Sequence, residues 1–501
     1  MMELGNYCFY IYIKQPKNKQ MKRIFLSAFL LVSLSLSAQN IDRKQVVERN
    51  NPHVVTMDSL NSLSVGNGGF AMTVDGTGLQ SFPKSYSKGV PLGTMSDWGW
   101  HSFANPENYK PEESWRYYDY GRGRKEPYAT QIKEDKRKKA AGDWYRVNPH
   151  RLHLGTLGLS LGSDPKNIQQ VNQILDMWDG MIKSSFIYHG RAYHVETTCH
   201  PELDMIATHV QSKGSIAFDI RFAYPTGGHC DDACDWNKDH LHSTMLVSQD
   251  KNSAVLKRTI DETVYFVMLR WQGTAKLKQK GKNFYQLQSK SADLKLTCEY
   301  AEQVSSVSKT FAEVADAAKV YWNRYWQKGA MVDFGQCKDP RAQEMERRVV
   351  LSQYLLAIQD AGETPPQETG LTYNSWFGKF HLEMILWHQA QFALWGHPEL
   401  LERSLSWYFK AEPNARKIAQ RQGFKGVRWM KMTDPDAGEA PSSVGSFLIW
   451  QQPHLIYLAE LLYRADPSPA ILQKYAKLVD ETAEFMGDFA EYDKEKDRYI
   501  L

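Results

Sequence analysis

The chain has 501 residues, 42% of them hydrophobic and 24% charged, with a formal net charge of +4. That length suits two or three domains, and the balance excludes collagen-like, low-complexity and disulfide-scaffold classes. Residues 1–38 hold five cations (Lys14, Lys17, Lys19, Lys22, Arg23) and one anion (Glu3), so removing them brings the net charge to about zero and leaves nothing that favours nucleic acid.

Residues 21–38, MKRIFLSAFLLVSLSLSA, read as a secretory signal peptide, with basic Lys22 and Arg23, an apolar run, and the small residues Ser37 and Ala38. The run is short for a membrane span, and no lipoprotein cysteine follows it. The expectation is a true start at Met21, export to the periplasm or medium, and no membrane attachment after cleavage.

From residue 54 to 298 the pattern is one of short alternating runs divided by turn residues. Strands are expected at 70–74 (FAMTV), 152–161, 194–198 (HVETT), 205–210 (MIATHV), 216–222 (IAFDIRF), 263–270 (TVYFVMLR) and 294–298. This predicts a large antiparallel β-sandwich over residues 39–309. Its long loop 96–109, SDWGWHSFANPENY, is Trp-rich, as functional loops of ordered domains can be. The basic cluster 133–139 contains Glu134 and Asp135 and reads as a solvated loop. The string HCDDACDW (229–236) admits a plain loop, a local Cys230–Cys234 bridge or a metal site. It lacks a second ligand pair at a zinc spacing, so no metal or cofactor is expected.

The period then switches to that of helices. Thr310 and Glu313 form a capping box, Val314, Ala317, Tyr321 and Tyr325 line one face, and Gly329 closes a linker helix within residues 310–338. Asp339-Pro340 opens the next helix, with Met345, Val349, Ser352 and Leu356 on its expected inner face. Further helical patterns cover 381–395, 398–410, 446–464 and 469–492. Hairpins of helices joined by loops predict an (α/α) toroid over residues 339–501, incomplete at about five helices. Apolar faces near Leu472, Leu478 and Phe485 are then expected to be partly exposed.

Three stretches could carry chemistry. NSWFGKFHLEM (374–384) sets Trp376 before Glu383, a carboxylate in apolar surroundings that needs a partner or a role. Pairing with Lys379 or His381 is the plain alternative. GFKGVRWMKMTDPDAGE (423–439) sets Arg428, Trp429 and Lys431 beside Asp434, Asp436 and Glu439, either as an acidic site loop or as a solvated turn. IWQQPHLIYLAELLYR (449–464) places Gln452 and His454 at the mouth of an apolar helix, where His454 is a ligand contact or a satisfied core histidine. Trp rings suit pyranose faces, and a carboxylic acid can protonate a glycosidic oxygen.

Together with SLSVGNGGFAMTVDGTGLQSF (62–82), these motifs resemble the six-hairpin glycosidases. They are most similar to glycoside hydrolase family 65, which holds maltose-, trehalose- and kojibiose-type phosphorylases and related glucosidases. WFGKFHLEM resembles that family's acidic segment at the start of a toroid helix, the loop ending in AGE its Trp-rich loop, and QPH its E-x-H element. The chain departs from the pattern at Trp429-Met430, where the family has Trp-Glu, and at Gln452, where the family's proton donor stands. The family also extends past the point where this chain stops.

The resemblance implies an inverting glycoside hydrolase acting on oligo- or polysaccharides. Glu439 would be the acid, and Glu383 would position substrate or stabilise the oxocarbenium-like state. Trp376, Trp429, Trp98 and Trp100 would stack on sugars, while Arg428, Lys431, His101 and His454 would bind them. Glu439 and Glu383 are expected to face one cavity bounded by Trp429 and Trp376 and roofed by residues 98–101. A glycoside phosphorylase and a non-catalytic carbohydrate-binding protein are the rival readings.

Overall fold

The computed structural model describes residues 41–500; the expected leader lies outside the described residues. Nine antiparallel strands form the principal sheet, in the order His53–Val54, Ile168–Asp176, Met181–Tyr188, Arg191–Cys199, Met205–Ser212, Asp293–Ala301, Thr263–Gln272, Ser253–Ile260, His242–Gln249. Its strands alternate in burial, as Ser253–Ile260 does at every second residue. One face is therefore committed to a core. A second antiparallel sheet, Ala275–Gly281, Phe284–Ser289, Ile216–Arg221, Thr156–Leu159, contributes Phe218, Ile220, Tyr285 and Leu287 to the same apolar core.

Helices α1 (Arg43–Arg49) and α2 (Lys136–Val147), together with a single helical turn at Pro83–Tyr86, lie within this β-rich part of the sequence. After it come α3 (Phe311–Lys328), α4 (Ala342–Gln359), α5 (Ile385–Leu394), α6 (Pro398–Arg421), α7 (His454–Ala465) and α8 (Pro469–Phe489). The fold is thus mixed, a large antiparallel sheet followed by helices. Among the described residues no helix is long and apolar enough to cross a membrane.

The Thr310–Glu313 capping box forms, and the Gly329 N–H closes α3 on the Tyr325 carbonyl. Helix α3 lies across Arg191–Cys199 and Met205–Ser212. Trp326 Nε1 donates to the Met177 carbonyl at 2.7 Å, and Trp322 packs on Tyr354 of α4 at 4.6 Å. The expected inner face of α4 is wrong. Met345 is exposed, while Glu346, Val350, Gln353, Tyr354, Ala357 and Ile358 are buried. The polar residues Glu346 and Gln353 hid this face from a reading by hydrophobicity. Glu346 accepts from Arg49 Nε (2.9 Å) and Nη2 (2.8 Å) and from Asn50 Nδ2 (2.7 Å), so a buried carboxylate fastens the N-terminal segment to the helices. Helix α6 runs well past the expected residue 410, through Pro413. The missing backbone bond is offset by burial of Ala411, Ala415, Ile418 and Ala419. Of the apolar positions expected to be exposed, Leu472 is (52%), but Leu478 and Phe485 are buried. The exposed apolar surface lies instead on α5, α7 and the turn before α7, at Trp387 (54%), Leu394, Trp450 (44%) and Tyr457.

Gly180, at φ +68°, sits beneath Trp322, and a Cβ there would lie 2.0 Å from the indole Cδ1. Gly180→Ala should therefore combine left-handed backbone strain with overpacking and lower stability by about 2–4 kcal/mol. Urea unfolding of the two proteins measures this.

Burial also sets a pH dependence. It pushes His153, His242 and His388 down to about 4, and with Lys431 nearby it pushes His381 down to about 3. The unfolded chain binds protons on these rings below pH 6.5 and the folded chain does not, so stability falls as pH drops. Buried Asp75 and Asp97, raised to about 6, work the other way, since the folded state then takes protons first. Burial also lowers His101, His150, His200 and His454 and raises Asp204, Asp360 and Glu299, and because the histidines outnumber the acids the net direction is a loss of stability toward pH 4.5. Thermal melts between pH 7 and 4.5 should show a falling Tm.

Candidate functional site

The segment 374–384 is gripped from two sides. Asn374–Ser375 pairs with Cys230–Asp231, and Phe380–His381 pairs with Met432–Thr433. Between these contacts Trp376 (φ +50°), Phe377 (φ +64°) and Gly378 (φ +69°) are all left-handed. Two aromatic residues in that region are a costly backbone choice that needs external support. The Phe377 N–H donates to the His229 carbonyl at 3.1 Å, Asn374 Nδ2 donates to Asp231 Oδ1 at 3.0 Å, and the buried Arg151 donates to the Gly378 carbonyl at 3.4 Å. The 229–236 loop therefore serves as a clamp. Its Cys230 and Cys234 are free thiols, and among the described residues no group of three or more His, Cys, Asp or Glu is placed to hold a metal ion.

This geometry holds the half-buried Trp376 ring among polar groups. His229 meets it edge-on at 4.4 Å, His381 stacks at 5.9 Å, and Lys431 Nζ and Arg146 Cζ lie 4.9 and 5.9 Å from its centroid. Lys431 Nζ is also 2.7 Å from Glu383 Oε2. A second carboxylate, Glu368, accepts from Ser375 Oγ at 3.2 Å and acts electrostatically on both Lys431 and His229. Burial lowers the pKa of Lys431, partly countered by Glu368.

Several buried polar atoms here lack a hydrogen-bond partner: both ring nitrogens of His381, Nδ1 of His388 and Oδ1 of Asn374. Unsatisfied groups of this kind are uncommon in native interiors and call for a water or ligand. Trp376, Lys431, Arg146, Gln131 and Ser442 line a cavity of about 310 Å³.

Of the expected site residues, the structure brings together Trp376, Lys431 and Glu383. Glu439 lies elsewhere, lining a cavity of about 600 Å³ with Asp434, Trp115 and Trp144. Both its oxygens accept from Arg421, which in turn lies over Trp115 at 4.4 Å. The expectation of one cavity holding Glu439 and Glu383 is therefore corrected. Asp436 points to solvent beside Lys410.

Trp429 bounds no cavity mouth. It is buried against Tyr408, with Nε1 donating to Thr482 Oγ1 at 2.9 Å. Arg428 is buried as well, donating to the Ser446 carbonyl at 2.7 Å, with Tyr128 against its guanidinium at 4.9 Å. Gln452 is buried and accepts from the Trp429 N–H at 2.9 Å, so it supports the backbone here.

The roof is corrected too. Trp98 Nε1 donates to Asp204 at 2.6 Å, and Trp100 carries Arg151 on its face at 4.1 Å while meeting Phe380 edge-on. His101 is buried between Asp261 (2.9 Å) and His150 (3.0 Å). His454 is a satisfied interior histidine, with Nδ1 3.1 Å from the Leu382 carbonyl. The reading of the sequence missed Glu368 and Arg146 altogether. It noticed His229 only within the Cys/His/Asp density of 229–236, for metal rather than for docking, and His381 only as a partner for Glu383.

Arg151 carries much of this arrangement. Nη1 donates to the Ser96 carbonyl at 2.8 Å and to the Asp97 carbonyl at 3.1 Å. A lysine cannot reproduce that fork. Arg151→Lys should cost about 2–4 kcal/mol, mainly by leaving buried acceptors unpaired, and should loosen the Trp376 turn. Denaturant melts together with indole fluorescence check this.

No family model matches the sequence, nor does any curated protein. Among solved structures, the chain superposes on an assigned kojibiose phosphorylase from the human microbiome with a TM-score of 0.62 and 11% identity, covering 90% of this chain and 62% of that one. A bacterial glucoamylase complexed with acarbose gives a TM-score of 0.39 at 11% identity, covering 61% and 48%. A family 92 α-mannosidase from Bacteroides thetaiotaomicron, complexed with mannoimidazole, gives 0.28 at 7%, covering 87% and 63%. The chain thus spans about 62% of the length of the kojibiose phosphorylase it matches, and at 11% identity the likeness is one of fold.

Proposed function

We propose that the chain is an exported glycosidase acting on oligo- or polysaccharides by single-displacement inversion, with its site at the Trp376 turn. The observation that carries this reading is a half-buried Trp ring between two cations, with one carboxylate on Lys431, another on Ser375 and unpaired buried polar atoms on His381, on a fold shared with a sugar-active enzyme. Trp376 offers a face to a pyranose, and Arg146 and Lys431 bind hydroxyls. Glu383, paired with Lys431, supplies negative charge to an oxocarbenium-like state or acts as base, and Glu368 is the candidate donor. Glu439, held by Arg421, stabilises the 434–439 loop.

Residues 39–309 form the sandwich in this reading, 310–338 the linker, and 339–501 part of an (α/α)6 toroid. Phosphorolysis is the second reading. It is favoured by two cations, Arg146 and Lys431, in one cavity with Ser442, and disfavoured by export, which would discard the sugar phosphate.

A panel of aryl glycosides, with and without phosphate, tests the proposal. Hydrolysis without phosphate is expected, and Glu383→Gln should lower kcat by about 100-fold or more at unchanged fold stability. Turnover only with phosphate would establish the second reading. Sugar binding without turnover would make the protein a carbohydrate-binding one, and unchanged rates in Glu383→Gln would remove this carboxylate from the chemistry.

A further inference from the structure

The outer face of the four-stranded sheet carries a cavity of about 860 Å³, which shares no lining residue with either cavity described above. That volume is within the range of small-ligand pockets, about 300–1,000 Å³. Its walls come from residues 80–85, the strands Thr156–Leu159, Ile216–Arg221 and Phe284–Ser289, the turn before Phe284, and the half-exposed Trp236.

Its chemistry is unequal in sign. The two acids are already engaged: Asp219 accepts from Arg221 (3.0 Å) and Gln286 (2.8 Å), and Asp239 accepts from Asn283 (2.7 Å). The cations are not all used. Among the described residues Lys84 and Lys280 make no ion pair or side-chain hydrogen bond, and Arg221 gives only one nitrogen to Asp219 while its Cζ lies over the Phe284 ring, 3.7 Å from the centroid. A guanidinium held against a ring has its direction fixed in advance, so binding an anion costs it little rotamer entropy. Beside these cations Trp236 offers an aromatic surface, and the Gln286–Ser160 pair (2.9 Å) offers neutral donors and acceptors.

Free positive charge, an aromatic wall and neutral hydrogen-bonding groups in one cavity match a ligand that is at once ring-shaped, hydroxylated and anionic. We infer that this groove is a binding site for acidic saccharides, taking a uronate carboxylate on Arg221, Lys84 and Lys280 with its sugar ring against Trp236. It would hold an acidic polysaccharide on the sheet while chemistry takes place elsewhere in the molecule, and it does not depend on the catalytic reading.

Calorimetric titration of the full chain with short galacturonate oligomers tests the site. Galacturonate should bind at least about tenfold tighter than neutral malto-oligomers or a single-stranded oligonucleotide of similar length. Trp236→Ala and the exposed Lys280→Glu should each weaken it about tenfold, and Lys280→Glu should do so with melting temperature and glycoside turnover unchanged. Equal binding of neutral oligomers, equal binding of the oligonucleotide, indifference to both substitutions, or no galacturonate binding would each overturn the proposal.

Discussion

A buried guanidinium holds the Trp376 turn to the β-rich part of the chain. Arg151 is almost wholly removed from water, and burial pushes its pKa down to about 10 despite the nearby Asp97. An ion so placed is tolerable only when its donors are used. Here Nη1 and Nη2 donate to the carbonyls of Ser96, Asp97 and Gly378, with Trp100 beneath the plane, and Nε alone is left without a partner. A Cβ on Gly378 would fall 2.1 Å from that of Arg151, so glycine is required at the tightest point. Left-handed backbone at Trp376 and Phe377 costs about 1–2 kcal/mol per residue, whereas a charge-assisted hydrogen bond contributes about 1.5–3 kcal/mol. The turn is therefore held by its surroundings, and Trp376 owes its orientation to a cation on another part of the chain.

The dryness of the helical floor has an electrical counterpart. His381, His388 and His454 are all shifted toward the neutral form by burial. Charge near Trp376 is left to Lys431, Arg146, Glu383 and Glu368, two of each sign. Such a balanced group can bind a neutral polyol without a net field, and it can compensate charge that develops on either side of a bond being broken.

Legibility in the sequence followed locality. The strand expected at 70–74 is observed as Phe70–Val74, and that at 205–210 is the core of Met205–Ser212, because alternation and turns are read within a few residues. The capping box of α3 was equally visible. The loop 423–439 was misleading for the same reason. Cations, acids and Trp429 near Gly and Pro look like a solvent-facing mouth, but the partners that bury Trp429 and Arg428 (Thr482, Tyr408, Ser446 and Tyr128) are far away in sequence. Glu439 likewise looked free because Arg421 belongs to a helix that was expected to end before it. The Trp376 turn was found through its own motif, whereas its companions His229 and Arg146, supplied by the β-rich part, had no local signature.

The pairing of Cys230–Asp231 with Asn374–Ser375 has a consequence for how such a protein can diversify. The turn that aims Trp376 is braced by a connection between strands, which pairs with its backbone and sets His229 against the indole. Substitutions and insertions at residues 229–236 can reshape what the pocket accepts while the helical layer keeps its sequence. Variation in the β-rich part and conservatism in the helices are then compatible with one changing specificity, and a graft of the helices alone would arrive without the loop that aims its tryptophan.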